Sequence, residues 1–145
     1  MKKIEIDTFL KFRFLSNPHF SPDGTKIAFT VSVPDRETNG YLSDLYLYDL
    51  GKKTVSRVTC SGDAKTWSWT AENTLIFTAA RTAALKKEKE NGTSFLYEIS
   101  PSGGEAQCIT SIPATVTGIR LLPDGRYLLT IRHDNYRDTR KKSYE

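Results

Sequence analysis

The 145-residue sequence has little of what marks several large protein classes. Its 2 cysteines are too few for a disulfide framework, so a reducing compartment fits the chain. No apolar run approaches the roughly 18 residues that indicate a membrane-spanning helix. Glu5, Asp7 and Lys11 interrupt the apolar core that a signal peptide requires. We therefore expect a cytoplasmic protein that has no membrane partner.

The sequence also lacks a concentrated block of basic charge, although its net charge is +4. Residues 1–13, 81–90 and 132–145 are basic clusters, but each also contains acidic residues. Clusters of mixed sign are typical of a solvated surface, whereas a nucleic-acid-binding domain gathers its Lys and Arg on one face. We expect no nucleic-acid partner.

The motifs of common catalytic and cofactor chemistry are absent from the sequence as well. It contains no Gly-x-Ser-x-Gly nucleophile elbow, Gly-rich phosphate loop, His-Glu-x-x-His or Cys-x-x-Cys. We interpret His19 as a structural histidine and His133 as a loop histidine, with a ligand or base as the less favoured alternative. Cys60 and Cys108 fall in different predicted repeats, so we expect two free thiols. The sequence predicts no catalytic residue, no cofactor and no metal site.

The sequence does contain an internal repeat with a period of about 50 residues. A turn followed by a strand occurs at residues 21–30 and 122–130, with a weaker copy at residues 70–78. Residues 45–50 return as residues 95–100, and residues 57–59 return as residues 108–110. Three markers that recur in the same order at nearly one period indicate the four-stranded blades of a β-propeller.

Each repeat is interpreted as four strands, the first lying before a tight hairpin turn of the Pro-Asp-Gly kind. The central strands are apolar on both faces, as expected where neighbouring blades cover both sides of a sheet. Short helical turns are predicted at residues 8–15 and 83–90, with a charged loop as the alternative for the second. The predicted strands lie near His19-Phe20, at 26–33, 44–48 and 54–59, near Trp67–Trp69, at 74–79, 94–99, 106–110, 118–121 and 127–132.

The fold class is therefore all-β, a partial β-propeller of about two and a half four-stranded antiparallel blades. We expect one incomplete propeller over residues 1–145, with blade one at about 16–60, blade two at about 65–111 and a half blade at about 115–145. Trp67 and Trp69 share one strand face, where packing between blades is favoured over a stacking platform for a base or sugar.

Two geometric expectations follow from this strand order. The long loops 34–43 and 81–92 should leave the sheets at one end and the Pro-Asp-Gly turns at the other, so Asn39 and Asp23 should lie at opposite ends. The outer faces of an incomplete propeller should also expose apolar residues and drive self-association. The residues expected there are Ile27, Phe29, Val31, Tyr127, Leu129 and Ile131.

Residues 14–29, which read FLSNPHFSPDGTKIAF, resemble the opening of the N-terminal propeller of the prolyl oligopeptidase family of serine peptidases. The acylaminoacyl-peptidase-like branch is the most similar. Residues 44–49, DLYLYD, match the strand that ends Asp-Leu-Tyr-x-Tyr-Asp in those chains. The resemblance covers most of residues 8–132. It implies that the catalytic Ser, Asp and His belong to a C-terminal α/β-hydrolase domain that is not in this sequence.

The resemblance implies a non-catalytic N-terminal propeller portion of a larger serine peptidase. Its partners would be the hydrolase domain of the parent chain and the peptide substrates that the propeller admits. We expect the chain to be a piece of that parent and to have no enzymatic activity of its own. The main alternative is a TolB-like propeller module that binds proteins and has no relation to peptidases. A polysaccharide-processing propeller is a third interpretation, although no acidic cluster near the axis supports it.

Overall fold

The computed structural model describes residues 6–132, which form ten β-strands, one short α-helix and a 3-10 helix at Ile6–Lys11. The elements after the 3-10 helix are β1 (Phe14–Phe20), β2 (Lys26–Asp35), β3 (Gly40–Asp49), β4 (Thr54–Arg57), β5 (Trp67–Trp69), β6 (Leu75–Thr78), α1 (Ala83–Glu90), β7 (Ser94–Ile99), β8 (Gln107–Ile112), β9 (Thr115–Leu121) and β10 (Tyr127–Arg132).

The strands form three antiparallel sheets that follow one another along the chain. The first sheet has the order β1-β2-β3-β4, the second has the order β5-β6-β7-β8, and the third is the β9-β10 hairpin. Every strand pairs with the strand before or after it in sequence, which is the local connectivity of propeller blades. The predicted all-β class and the number of strands are confirmed.

The three repeated turns share a residue in the left-handed conformation but differ by one residue in length. In the first, the Ser21 N–H donates to the Lys26 carbonyl, and Gly24 has a φ of 70°. The third is one residue shorter: the Leu122 N–H donates to the Arg126 carbonyl, and Gly125 has a φ of 82°. In the weaker second copy, Asn73 takes the left-handed position at φ 61°. Gly and Asn are the residues that tolerate this conformation best, which is why Asn can replace Gly here.

The loop predicted at residues 34–43 is mostly strand, so that prediction is wrong. Pairing of β2 with β3 continues to the pair Asp35 and Gly40, leaving a four-residue turn. Pro34 has no N–H, but β1 stops opposite Ser32, so Pro34 lies where β2 has a free edge. Asp23 and Asn39 lie beyond opposite ends of β2, as predicted.

The helix predicted at residues 8–15 is also wrong in its second half. The 3-10 helix ends at Lys11, and Phe14 and Leu15 instead pair with Ser32 and Val31 of β2. Long-range strand pairing therefore prevails over local helix propensity in this segment. The second predicted helix is confirmed as α1, with the hydroxyl of Thr82 accepting from the Leu85 N–H at its N-terminus.

The hydrophobic core lies between the first and second sheets. On the first sheet it uses residues of β2 and β3 that share one face, and on the second it uses alternate residues of β5, β6 and β7. The central strands β2, β3, β6 and β7 are mostly buried, whereas the edge strands β1, β4 and β8 are exposed. The core residues of these strands are Ala28, Leu45, Leu47, Trp67, Trp69, Leu75, Phe77, Phe95, Tyr97 and Ile99.

The third sheet packs on the opposite face of the second sheet. Val116 of β9 is buried, and its N–H donates to the hydroxyl of Ser94 at 2.8 Å. Burial, with the carboxylates of Glu72 and Glu98 as smaller causes, raises the pKa of Tyr127. The ring of Tyr127 therefore faces the second sheet, whereas Leu128 on the other face of β10 is 55% exposed.

The expected apolar outer faces are present, but their residues differ from the prediction. Ile27, Phe29 and Leu129 are half-buried, and Val31 is buried because Leu15 lies directly opposite it and shares its face. Ile131 is 49% exposed, as predicted, whereas Tyr127 is 38% exposed but directs its ring toward the second sheet. The most exposed apolar side chains of the first sheet are on its edge strands: Leu15, Phe20 and Val55. Within residues 6–132, no helix has the length and apolar character needed to cross a bilayer.

Candidate functional site

An open cleft of about 540 Å³ lies between the first strands of the three sheets. These strands are β1, β5 and β9, and the corresponding strands of a propeller surround its central axis. Pro22 of the first hairpin turn, and Lys65 and Thr66 before β5, extend the lining. The residues around the cleft are Asn17, His19, Phe20, Pro22, Lys65, Thr66, Trp67, Ser68, Trp69, Thr117, Gly118, Ile119, Arg120 and Leu121.

A β-bulge in β1 shapes one wall of the cleft. The register with β2 shifts by one residue between Ser16 and His19, and Asn17 adopts a φ of 59°. The extra residue lets His19 pair with Ala28, which returns its side chain to the face that meets the second sheet. The Asn17-Pro18 pair supplies both the left-handed position and a residue that needs no N–H partner.

His19 is held by local contacts and has no catalytic partner within the described part of the chain. Its ring packs edge-on against Trp67, with the ring centroids 5.6 Å apart, and its Nδ1 lies 3.2 Å from the carbonyl oxygen of Asn17. The backbone carbonyl of His19 accepts a hydrogen bond from the Trp69 indole at 3.1 Å. The interpretation of His19 as a structural histidine is consistent with these contacts. His133 lies outside the described residues.

Trp67 and Trp69 form the buried floor of the cleft. Both are at most 5% exposed, and the Trp67 indole N–H donates to the hydroxyl of Thr30 in the first sheet at 2.9 Å. Their rings are therefore covered by protein and are closed to a base or a sugar. The predicted packing role between blades is confirmed for both residues.

The walls of the cleft combine polar groups with two cationic side chains. Lys65 precedes β5 and Arg120 belongs to β9, so the two charges come from neighbouring sheets. Both residues are exposed, and neither has an ion-pair partner within residues 6–132. Neither residue belongs to a recurring motif, so neither stands out in the sequence.

The turn beside the cleft carries the most strongly perturbed acidic group. The carboxylate of Asp23 accepts from the Ser21 hydroxyl at 2.6 Å and from the Thr25 N–H at 3.0 Å. These hydrogen bonds, that of Ser21 first, lower the pKa of Asp23 from 3.8 to about 2. The Asp23 N–H also donates to the side chain of Asn73, which ties the turn of the first sheet to that of the second.

The arrangement of the described residues offers binding surface and no constellation for catalysis. Among residues 6–132, no three His, Cys, Asp or Glu side chains come close enough to hold a metal ion. His19 makes no hydrogen bond to a Ser or Asp side chain of this part of the chain. Cys60 and Cys108 are both free thiols, as predicted, and both are exposed.

A second surface, not predicted from the sequence, is a cluster of four exposed aromatic rings. Phe9, Phe12, Phe14 and Tyr41 contact one another with ring centroids 5.6 to 6.5 Å apart. All four are 39 to 52% exposed. Tyr41 follows the β2–β3 turn, so this aromatic cluster lies at the end of the first sheet opposite Asp23.

Comparison with known proteins identifies similar chains among peptidases. The uncharacterized peptidase YuxL of Bacillus subtilis is 30% identical over 133 residues, which cover 89% of this chain and 19% of that protein. The chain thus spans about a fifth of the length of this curated relative. No family model matches the chain.

Solved structures of peptidases, among them one β-propeller domain, share the fold. The β-propeller domain of the Trilobed protease from Pyrococcus furiosus aligns with a TM-score of 0.59 at 16% identity, over 83% of this chain and 34% of that one. Acylaminoacyl peptidase in complex with Z-Gly-Gly-Phe-chloromethyl ketone aligns with a TM-score of 0.65 at 18% identity, over 89% of this chain and 19% of that one. The Pyrococcus horikoshii acylaminoacyl peptidase aligns with a TM-score of 0.64 at 18% identity, over 89% of this chain and 20% of that one. The partial β-propeller fold and the resemblance drawn from the sequence are confirmed.

Proposed function

We propose that this chain is the non-catalytic N-terminal propeller portion of an acylaminoacyl-peptidase-like serine peptidase. There it gates the entry of peptides and packs against a C-terminal α/β-hydrolase domain, in the cytoplasm. One observation supports this most strongly: nearly the whole chain aligns with a segment that makes up about a fifth of a peptidase. A piece of that size has room for propeller blades and leaves the catalytic chemistry to the remainder.

The geometry of the described cleft supports a gating role over a catalytic one. The cleft between β1, β5 and β9 is open, while its aromatic floor is fixed by hydrogen bonds between the sheets. Rigid walls around an opening admit extended peptides and exclude folded proteins by size. No group in the described cleft is arranged to act as a nucleophile with a base.

The aromatic cluster supports docking of a second domain. Rings of Phe9, Phe12, Phe14 and Tyr41 gather at one end of the first sheet, and each stays more than a third exposed. Exposed apolar patches of this kind mark interaction surfaces. Aromatic side chains are also enriched in the cores of such interfaces.

The first test of this proposal is the reading frame downstream of residue 145. The proposal expects a Gly-x-Ser-x-Gly motif followed by Asp and then His, which is the chain order of an α/β-hydrolase. A downstream frame that completes a propeller without this motif would reject the proposal and favour the TolB-like binding module.

A second test addresses docking directly. The 145-residue chain, mixed with a separately produced downstream portion, should form a one-to-one complex in size-exclusion chromatography with light scattering. The double variant F9S/F12S should weaken the complex, whereas V55S, which removes an exposed apolar residue of β4, should leave it unchanged. Equal effects of the two variants would show that the aromatic cluster is not the docking surface.

A further inference from the structure

The cleft between the first strands has a one-sided charge distribution. Among the fourteen described residues that line it, there is no Asp or Glu, while Lys65 and Arg120 contribute two formal positive charges. The other polar side chains of the lining are the imidazole of His19 and uncharged groups such as Asn17, Ser68 and Thr117. A concave surface lined by one sign of charge concentrates ligands of the opposite sign.

The cationic groups of the cleft are available to a ligand. Neither Lys65 nor Arg120 is engaged in an ion pair with a described residue, and both side chains are exposed. By contrast, Arg57 and Lys89 pair with Asp44 and Asp63. An Arg whose fork of N–H donors is unpaired suits a carboxylate, which it can bind with two parallel hydrogen bonds.

The aromatic residues of the cleft favour a peptide over a single-stranded nucleic acid. Binding of single strands depends on aromatic faces on which bases stack, together with a groove of positive charge that follows the phosphates. Trp67 and Trp69 are buried, so the exposed rings among the described lining residues are Phe20 and the imidazole of His19, which already packs against Trp67. Two cations can pair with one or two carboxylates, but they are too few to follow the successive phosphates of a nucleic-acid backbone.

We propose that this cleft binds the carboxylates of acidic peptides through Lys65 and Arg120, and that the peptides admitted past these strands are enriched in Glu and Asp. The proposal rests on the proposed function in so far as the bound peptides are those that the propeller gates. The volume of about 540 Å³ lies within the range of about 300–1,000 Å³ that accommodates small ligands. The cleft is open, so a longer peptide can extend beyond it.

Binding of labelled peptides to the 145-residue chain tests the proposal. Three fluorescein-labelled hexapeptides of equal length are compared by anisotropy: a Glu-rich peptide with an amidated C-terminus, its Gln counterpart with an amidated C-terminus, and the Gln counterpart with a free C-terminus. The first probes side-chain carboxylates, the third probes the terminal carboxylate, and the second carries neither. An octathymidylate that carries the same label tests for binding of a single-stranded nucleic acid.

The variants K65Q and R120Q are each expected to weaken binding of the Glu-rich peptide about two- to fivefold, the range of exposed ion pairs, and the double variant about tenfold. The control K86Q/K87Q removes the same net charge from exposed residues of α1 outside the cleft and should change binding less than twofold. For the unmodified chain, raising the salt from 10 to 150 mM shortens the screening length from about 30 to about 8 Å and should weaken the Glu-rich peptide selectively.

Several results would overturn the proposal. Equal binding of the Glu-rich and Gln amidated peptides would show that the cleft does not distinguish charged from uncharged side chains. Equal losses of affinity in K65Q/R120Q and K86Q/K87Q would show that the affinity depends only on net charge. Tighter binding of the octathymidylate than of the Glu-rich peptide would show that the ligand of the cleft is a nucleic acid. Selective binding with no hydrolase in the downstream frame would reject the proposed function alone, whereas a hydrolase in the frame without selective binding would reject this inference alone.

Discussion

Replacing Trp67 with Phe should destabilise the chain by breaking a buried hydrogen bond between its first two sheets. The indole N–H of Trp67 donates to the Thr30 hydroxyl at 2.9 Å, across 37 residues of sequence. Both residues are about 4% exposed, so water has little access to the groups left behind. Phenylalanine keeps an aromatic ring on the strand but removes the donor and part of the ring volume.

The size of the effect follows from two contributions. An unsatisfied buried hydroxyl at Thr30 costs about 1–3 kcal/mol. The smaller ring adds a cavity contribution, which we place at about 1 kcal/mol because full removal of a buried Trp or Phe side chain costs about 3–5 kcal/mol. The free energy of unfolding should therefore fall by about 2–4 kcal/mol. The variant T30V, which strands the indole donor instead, should lose about 1–3 kcal/mol.

Urea unfolding followed by circular dichroism measures these changes, and a double-mutant cycle isolates the bond. Since W67F/T30V leaves neither group unpaired, its loss should be smaller than the sum of the single losses by about 1–2 kcal/mol. The matched control is W69F/T30V, because the Trp69 indole donates to the backbone of His19 and not to Thr30. Additivity within about 0.5 kcal/mol for W67F/T30V would refute the hydrogen bond between Trp67 and Thr30.

Much of the fold was predictable because its signals are local. The Pro-Asp-Gly turn needs a residue that tolerates positive φ, and both Gly24 and Gly125 provide it. The strands that follow these turns start at Lys26 and Tyr127, as predicted from the repeat. Turn chemistry and strand propensity act over a few residues, so a single sequence is sufficient to read them.

The errors arise where non-local pairing decides the structure. Phe14 and Leu15 fit a helical pattern, yet they gain more from pairing with β2. Two side chains that hydrogen-bond to the chain after their own sheet show the same limit. Asp44 of β3 accepts from the Gly62 N–H, and Ser94 of β7, fifty residues later, accepts from the Val116 N–H. The shared role does not show in the sequence, because a carboxylate and a hydroxyl both serve it.

The candidate cleft was not predictable for a related reason. Lys65 and Arg120 lie 55 residues apart and meet only because the first strands of successive sheets converge. The aromatic cluster is likewise assembled from the 3-10 helix, β1 and β3. Sequence patterns reveal which residues share a strand face, but not which faces of separate sheets come together.

Three further outcomes are expected. The chain should show no labelling by a fluorophosphonate and no hydrolysis of acyl-peptide substrates, and stoichiometric labelling of any serine would contradict its non-catalytic role. Because hydrogen bonds lower the pKa of Asp23 from 3.8 to about 2, its stabilising contribution is present above pH 4 and is lost as the pH falls towards 2; the melting temperature of D23N should accordingly vary less over that interval than that of the unmodified chain. The exposed apolar side chains Leu15, Val55 and Leu128 lie on sheet faces that no described residue covers, so the chain should self-associate at tens of micromolar in light scattering. The triple variant L15S/V55S/L128S should shift it towards monomer without a large loss of stability, since each of these side chains is already mostly solvated. A monomeric unmodified chain with a cooperative melt at that concentration would show that another part of the molecule covers these faces.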